Sequence, residues 1–420
     1  MRCANMLLSL GTVIYLVATF IGLYVGIFFL SVIYEHWGRD RTRGTKARPR
    51  VCVIIPCYNE ERTIGRTIES LLALDYPRTK LEIIVVDDGS RDRTYAVAKG
   101  YAKHGITVLR KENGGKHTAL NYALTFTDAP FVGALDADST VAPDSLRKII
   151  SYFKHPKVTA VTPSLIIDTP RGVLRRIQAI EFMIGVFLRR VFTDIGSQHV
   201  TPGPFTIYRR KFFDKYGAWH EAHKTEDIEV ALRIQSKHLI IENATDAYVY
   251  THGPETWNGL YQQRLRWYHG FLSNVLDYKH LFGPKHGNLG LFVLPMSFVS
   301  IATLSLVLLY TIVKFVADAV QQVYQYWLIG FDVSRMLEWH IDTFFFNTGP
   351  LMILGGLTLA VSLIMLLFAK RFSGARNIVY SYVLFVLLYC WFFILWWAVA
   401  GYHKAFKRDV AWGHKSIAGG

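Results

Sequence analysis

The chain has 420 residues, 51% of them hydrophobic, and a net charge of +15. Its four cysteines, Cys3, Cys52, Cys57 and Cys390, show no metal-ligand spacing, and Cys52 and Cys57 fall in one strand and its exit. That excludes a disulfide framework and implies a reducing compartment for the middle of the chain. Nucleic acid is excluded as a partner by where the basic residues lie: Arg39, Arg41, Arg43, Lys46, Arg48 and Arg50 follow the first apolar run, Lys370, Arg371 and Arg376 separate two others, and Lys404, Lys407, Arg408 and Lys415 follow the last. Charge placed this way is juxtamembrane.

Leu7 to Tyr34 is apolar and uncharged, longer than the ~20 residues of a spanning helix. It reads as a retained anchor rather than a signal peptide, because the run is too long and no small-residue cleavage site follows it. From about Arg50 to Thr251 the composition is that of a soluble domain. Val51 to Ile55, Leu81 to Val86, Thr107 to Leu109 and Phe131 to Leu135 read as strands by length and β-branching. Between them Ile64 to Leu74, Thr94 to His104 and Lys116 to Thr125 have helical spacing. Such alternation predicts parallel strands with crossover helices, and ligands then bind beyond the carboxyl ends of the strands.

Arg171 to Phe192 is amphipathic, with Ile177, Ile180, Ile184, Phe187, Leu188 and Val191 on one face and arginines on its flanks. It fits a core helix or, preferred here, a helix on the membrane surface. Trp257 to Phe282 is similar. Three further spans are expected, at about Leu289 to Val313, Thr348 to Ala369 and Ile378 to Ala400. Lys314 to Asn347 carries Asp318, Asp332, Arg335, Glu338 and Asp342 and reads as outside the membrane or on its surface. With the middle domain cytosolic, three later spans leave the basic tail on the wrong side. Either a further crossing near Phe315 to Phe331 or a re-entrant span would resolve this.

Acidic and polar motifs sit at the predicted strand ends. Pro56-Cys57-Tyr58-Asn59-Glu60 offers a ring and a carboxylate; Asp87-Asp88-Gly89-Ser90 offers an acceptor for a pyrimidine N–H. Each, taken alone, is also an ordinary strand-to-helix turn. Asn113-Gly114-Gly115-Lys116 opens a helix where phosphate can bind, without the full P-loop frame. Asp136-Ala137-Asp138 supplies two hard oxygen ligands suited to Mg²⁺ or Mn²⁺. Thr225-Glu226-Asp227 supplies a catalytic pair, with Asp227 the base that deprotonates an acceptor hydroxyl and Thr225 a helix N-cap. Gln263, Arg266 and Trp267 add an amide, a guanidinium to offset diphosphate charge, and a ring to stack on a sugar.

In that order these residues resemble the membrane-embedded family-two glycosyltransferases: hyaluronan, chitin-oligosaccharide, poly-N-acetylglucosamine and cellulose synthases. The resemblance implies an α/β, glycosyltransferase-A-like cytosolic domain, with a mostly parallel sheet and flanking helices, embedded in an α-helical transmembrane protein. It divides the chain into an anchor and basic linker (1–49), the transferase domain (50–255), an interface helix (256–288) and a C-terminal membrane region with a basic tail (289–420). It implies an inverting, metal-dependent enzyme that polymerises a β-linked polysaccharide from a UDP-sugar and translocates it, with single addition to a lipid acceptor as the alternative. Tyr58, Glu60, Asp88, Lys116, Asp136 and Arg266 would bind nucleotide, and Asp136 and Asp138 the metal. Gln263 and Trp267 would meet the acceptor. Thr201-Pro202-Gly203-Pro204-Phe205 looks like the acceptor loop, usually Ser-Gly-Pro, which adds Gly203 to that set. Trp412-Gly413-His414-Lys415 looks like the Trp-Gly-Thr-Arg end of hyaluronan and chitin-oligosaccharide synthases, which adds Trp412 and Lys415 to the nucleotide side. The partners implied are a UDP-sugar, a growing glycan or lipid-linked acceptor, and the bilayer.

Overall fold

The computed structural model describes residues 10–38, 47–328, 350–374 and 379–406. The chain divides into two compact units: Met1–Ser31 with Met296–Leu366, and Val32–Pro295 with Leu367–Gly420.

The second unit is built on one sheet of eight strands: β1 (Val51–Cys57), β2 (Leu81–Asp87), β3 (Thr107–Arg110), β4 (Phe131–Ala134), β5 (Ser139–Val141), β6 (Val158–Ile167), β7 (Ile207–Arg209) and β8 (Ile240–Thr251). Their order across the sheet is β3-β2-β1-β4-β7-β6-β8-β5. The first four strands are parallel, as their alternation with helices predicts. Every residue of β1 is buried, so the strand reads as one continuous apolar run. Its side chains still alternate. Val51, Val53, Ile55 and Cys57 enter one core with Ile64, Ile68 and Leu71 of α2 (Ile64–Leu72). Cys52 and Ile54 enter the opposite core with Ala119 and Leu120 of α4 (Lys116–Leu124). Helix α3 (Thr94–Gly100) contributes Ala98, and α5 (Ser145–Ser151) contributes Leu146 and Ile149, to the first core.

The other half is mixed, with β6 and β8 parallel and β7 and β5 antiparallel to their neighbours, and shows no such alternation in sequence. β7 runs antiparallel to both β4 and β6, so its entering loop, residues 201–206, lies beside the carboxyl end of β4. Gly133 makes this pairing possible. A Cβ there would collide with Ile207 Cδ1 and with the Thr206 carbonyl. After β7 come α7 (Arg210–Tyr216) and α8 (Glu226–Ser236), whose N-terminus carries Glu226 and Asp227.

Helix α6 (Gly172–Asp194) packs on β6, on β8 and on α12 (Val379–Leu384), the first arm of a C-terminal pair whose second arm is α13 (Cys390–Ala405). The apolar face expected at a membrane surface is therefore covered by protein, with Ile177, Ile180, Met183, Val186, Phe187 and Val191 buried. Three of its arginines are engaged too: Arg175 with Glu255, Arg176 over the Tyr380 ring, and Arg190 with Asp194 at 2.9 Å. Helix α9 (Trp257–Asp277) lies along α13. Between α12 and α13 the chain forms a π-helical turn, Phe385–Tyr389, and the two arms bend by 44°. Each arm rises at ~1.5 Å per residue and is too short for a ~30 Å hydrocarbon core by itself. The last expected span is thus bent at its middle, the form of a broken span or of a re-entrant loop.

The first unit holds apolar helices. Leu10–Glu35, Leu289–Leu328 and Met352–Ser373 are each long and apolar enough to cross a membrane. They correspond to α1 (Leu10–Glu35), α10 (Leu294–Leu328) with its preceding π-turn, and α11 (Pro350–Ser373). Gly11 fits against Tyr310 and Gly26 against Val361, and Tyr15 and Thr311 share a hydrogen bond of 3.0 Å. Small residues let such helices approach closely. The span expected to end near Val313 continues unbroken to Leu328. Lys314 and Asp318, one turn apart, pair at 3.0 Å, so these charges sit on the helix without breaking it. Of Lys314 to Asn347, the part from 329 onward lies outside the described residues.

Gly133→Ala is expected to destabilise the second unit by about 1–3 kcal/mol, the usual penalty of overpacking. A lowered midpoint in thermal unfolding of the purified protein checks it.

Candidate active site

Three loops meet at the carboxyl ends of β1, β2 and β4. The first two are laced together. Asn59, at φ 57°, donates its amide to Ser90 Oγ at 2.9 Å and accepts from the Arg91 amide at 2.9 Å. The Glu60 amide donates to Thr94 Oγ1 at 2.7 Å, and the Glu60 carboxylate accepts from Thr63 Oγ1 at 2.6 Å. Tyr58 is half-buried in the same loop. Gly89 must stay small, because a Cβ would come within 2.8 Å of the Asn113 amide. Beside it opens a hollow of about 600 Å³ lined by Gly89, Arg110, Lys111, Glu112 and Asn113.

Asp87 and Asp88 differ from the sequence expectation. Asp87 is buried and pairs with Arg110 at 3.0 Å. Asp88 accepts from Lys111 Nζ at 2.7 Å, from the Gly114 amide at 3.1 Å and from the Gly115 amide at 2.8 Å. Both its oxygens are thus committed to the glycine loop. In this structure Asp88 shapes that loop, rather than presenting an open acceptor to a base.

The loop delivers Lys116 to the centre. Lys116 Nζ lies 2.6 Å from Asp136 Oδ1 and 3.2 Å from Glu226 Oε1. One ammonium joins the two acidic motifs. Burial works against that charge, yet Asp136 and Glu226 outweigh it and hold the lysine pKa above its ordinary value. Burial also pushes the Glu226 carboxyl upward, but Lys116, a backbone amide and Arg266 bring it below the ordinary range. Asp138, hydrogen-bonded by Ser139 Oγ at 3.0 Å, is pushed up to about 7 by burial and by the charges of Asp136 and Glu60. Asp227 is pushed up to about 6 by burial and by Glu226. Gly203 closes the far side. A Cβ there would lie 2.7 Å from Lys116 Nζ and 3.5 Å from both Asp136 oxygens. The Thr201 amide and hydroxyl donate to the Asp227 carbonyl at 3.2 and 2.7 Å, which ties this loop to α8.

Asp136 and Asp138 fit a divalent cation by their chemistry: two hard oxygen donors whose mutual repulsion already raises one of them. Among the described residues no group of three or more His, Cys, Asp and Glu closes a complete cage. Mg²⁺ and Mn²⁺ sites of this kind are completed by substrate phosphate.

Helix α9 brings the remaining groups. Arg266 Nη1 donates to the Lys224 carbonyl at 3.1 Å, just ahead of Glu226. Thr225 stands at the N-cap position ahead of α8, but its hydroxyl makes no capping hydrogen bond. It donates to the Ala222 carbonyl at 3.0 Å and accepts from Asn274 Nδ2 at 2.8 Å. Trp267 packs near Phe182, with ring centres 6.4 Å apart. Between Gln263 and Trp267 lies a residue that motif reading passed over. Arg264 is fully buried, donates to Gln263 Oε1 and to Glu181 Oε2 at 2.5 Å each, and stands 4.2 Å over the Trp267 ring. One guanidinium therefore fixes both side chains assigned to the acceptor. A charged residue at an apolar-facing helical position is the signal that could have found it. Trp412 and Lys415 lie outside the described residues.

Residues 52–217 match the family model described as glycosyl transferase family 2. The chain carries a family-two glycosyltransferase domain. Thr225-Glu226-Asp227 and the α9 motif lie downstream of the matched residues. The chain is similar to a poly-β-1,6-N-acetyl-D-glucosamine synthase of Staphylococcus aureus, 32% identical over 265 residues, 60% of this chain and 64% of that protein. It is also similar to a β-monoglucosyldiacylglycerol synthase of Synechocystis, 30% identical over 236 residues, 55% of this chain and 49% of that protein. The chain thus spans less than two thirds of the length of the curated relatives it matches. Its fold resembles that of a mannosyltransferase from Pyrobaculum calidifontis, in complex with GDP-Man and Mn²⁺, with a TM-score of 0.55 and 20% identity over 84% of this chain and 98% of that one. The sheet is that of the glycosyltransferase-A class.

Removing the partner of a buried charge is costly. Glu181→Ala is expected to destabilise the protein by about 3–5 kcal/mol, because Arg264 keeps its charge and loses its counter-ion. Glu181→Gln, which retains an acceptor, is expected to cost less. Thermal unfolding of the two variants side by side reads the difference.

Proposed function

We propose that this protein is an inverting, metal-dependent transferase that takes a sugar from a UDP-sugar and adds it to the end of a growing β-linked glycan. Its catalytic domain faces the cytosol, and its apolar helices pass the product across the membrane. One observation carries the reading: a single ammonium, Lys116, pairs with carboxylates of both acidic motifs, with Asp227 and Gly203 at the same point. The relative named as a poly-β-1,6-N-acetyl-D-glucosamine synthase supports polymerisation.

In this reading Asp227 accepts the proton of the acceptor hydroxyl as its oxygen attacks the anomeric carbon. The new carbon–oxygen bond forms on the face opposite the nucleotide, and the bond from that carbon to the diphosphate oxygen breaks. The electron pair leaves with UDP. Lys116 and Arg266 offset the charge that gathers on the leaving diphosphate, and Glu226 holds Lys116 in place. Asp136 and Asp138 would hold Mg²⁺ or Mn²⁺, whose chemistry is to neutralise diphosphate charge. Tyr58 and Glu60 line the nucleotide side, and Asp88 supports it through the glycine loop. Gly203, Gln263 and Trp267 receive the acceptor. Trp412 and Lys415 are assigned to the nucleotide by their likeness to the Trp-Gly-Thr-Arg end.

A second reading, addition of one sugar to a lipid, is favoured by the relative named as a β-monoglucosyldiacylglycerol synthase. Purified protein offered UDP-glucose, UDP-N-acetylglucosamine and UDP-glucuronate separates the two by product size. Polymer supports the first reading; a product that stops at one sugar on lipid rejects it.

Asp136→Ala and Asp138→Ala are each expected to abolish transfer, with neither Mg²⁺ nor Mn²⁺ restoring it. Turnover that persists in either variant under chelation overturns the metal assignment. Asp227→Asn is expected to lower kcat by about 10²–10⁴-fold while donor still binds. The base works only when ionised, and Asp227 is raised to about 6. The rate at saturating metal is therefore expected to fall as pH drops through about 6 and to level off above it, a limb that Asp227→Asn removes.

A further inference from the structure

The turn ahead of Glu226 is unusual. Ala222, His223 and Lys224 have φ of 46°, 55° and 64°. Three consecutive non-glycine residues thus occupy the left-handed region, where Cβ crowds the carbonyl and single visits are already uncommon. Strain of this kind persists only where surrounding structure imposes it.

The restraint comes from one face of α9. Arg266, Gly270, Asn274 and Asp277 are spaced by four, four and three residues, which aligns them on the helix. Arg266 binds the Lys224 carbonyl at 3.1 Å. Asn274, 1% exposed, donates through Nδ2 to Thr225 Oγ1 at 2.8 Å and to the Ala222 carbonyl at 3.2 Å. Asp277 meets His223 Nε2 at 2.8 Å. Gly270 lies flush against Thr225, whose Oγ1 and Cγ2 would both collide with a Cβ. Every residue of the turn, 222 to 225, is thus gripped by the same helix.

We infer that Asn274 and Gly270 are positioning residues: by holding turn 222–225 in its left-handed form, they aim the Glu226 and Asp227 carboxylates at Lys116 and the acceptor. This rests on the assignment of Asp227 as the base. Neither residue touches substrate in this account. Asn274 supplies the donors that the turn's carbonyl and hydroxyl need, and Gly270 supplies the closeness that lets them reach. Thr201, bonded to the Asp227 carbonyl, holds the same stretch from the opposite side.

The test uses the full chain and the donor found by the UDP-sugar screen. Asn274→Ala is expected to lower kcat about tenfold or more with donor KM within about twofold, the signature of lost transition-state alignment rather than lost binding. Adding Ala222→Gly is then expected to restore about threefold or more, because glycine adopts positive φ without a Cβ penalty. Gly270→Ala, the second arm, is expected to show the same kcat-selective loss if Asn274→Ala does not accumulate as folded protein. Hydrogen exchange at amides 222–229 reads the turn without catalysis: faster in Asn274→Ala, slower again with Ala222→Gly. Unchanged kcat and exchange in Asn274→Ala overturn the inference. So does a loss that Ala222→Gly leaves untouched, since Asn274 would then only fasten α9. A wild-type protein that transfers no sugar from any donor sinks the proposed activity instead, and the exchange arms still decide the role of the turn.

Discussion

The site depends on one buried ammonium. Asp136, Asp138, Glu226 and Asp227 bring four carboxylates to the end of one sheet, and like charges at short range oppose folding as well as one another. Lys116 sits 2.6 Å from Asp136 and 3.2 Å from Glu226, so it pairs with one acid of each motif. The acids it does not touch most closely, Asp138 and Asp227, are the two whose carboxyls are raised. The asymmetry divides their tasks. Glu226 is held ionised beside the lysine. Asp227 is left basic enough to take a proton near neutral pH.

The sheet order explains why residues so far apart in sequence converge. Parallel β1, β2 and β4 end on one edge of the domain, and antiparallel β7 returns its entering loop to that same edge. Gly133 admits the return and Gly203 admits the lysine. Asp88, through Lys111 and two backbone amides, shapes the loop from which Lys116 projects. Asp88, which the sequence offers as a ligand for a base, is thus also scaffold for the lysine.

Much of the first half was legible because its physics is local. β1 and β2 are long apolar runs bounded by turn residues, and the expected helices at Ile64, Thr94 and Lys116 begin where predicted. The meeting of Lys116 and Asp136 accords with the rule that open sheets bind ligands at strand ends, whereas Glu226 heads a helix and was expected there only from the resemblance. Other parts were not legible. β5 and β7 have three residues each, too few to show a period. The unbroken course of α10 past Lys314 carries an ion pair that a hydropathy scan counts as two charges. The roles of Arg264, Gly270 and Asn274 come from a tertiary neighbour that no spacing within α9 reveals. Thr225 looked like a helix cap because its sequence context is that of one, yet α9 claims its hydroxyl.

The loop proposed to receive the acceptor carries a lesson for anyone reshaping the product of this protein. Gly203 has little spare volume: a Cβ there would lie 2.7 Å from Lys116 Nζ, so a larger residue is expected to displace the lysine from its acids. Thr201 is pinned to the backbone of α8. Pro202, where this chain leaves the usual Ser-Gly-Pro pattern, and Pro204 are the places left to vary. Diversity between sister proteins, and libraries built to seek new products, should therefore concentrate on those two flanking prolines, with the glycine between them held constant.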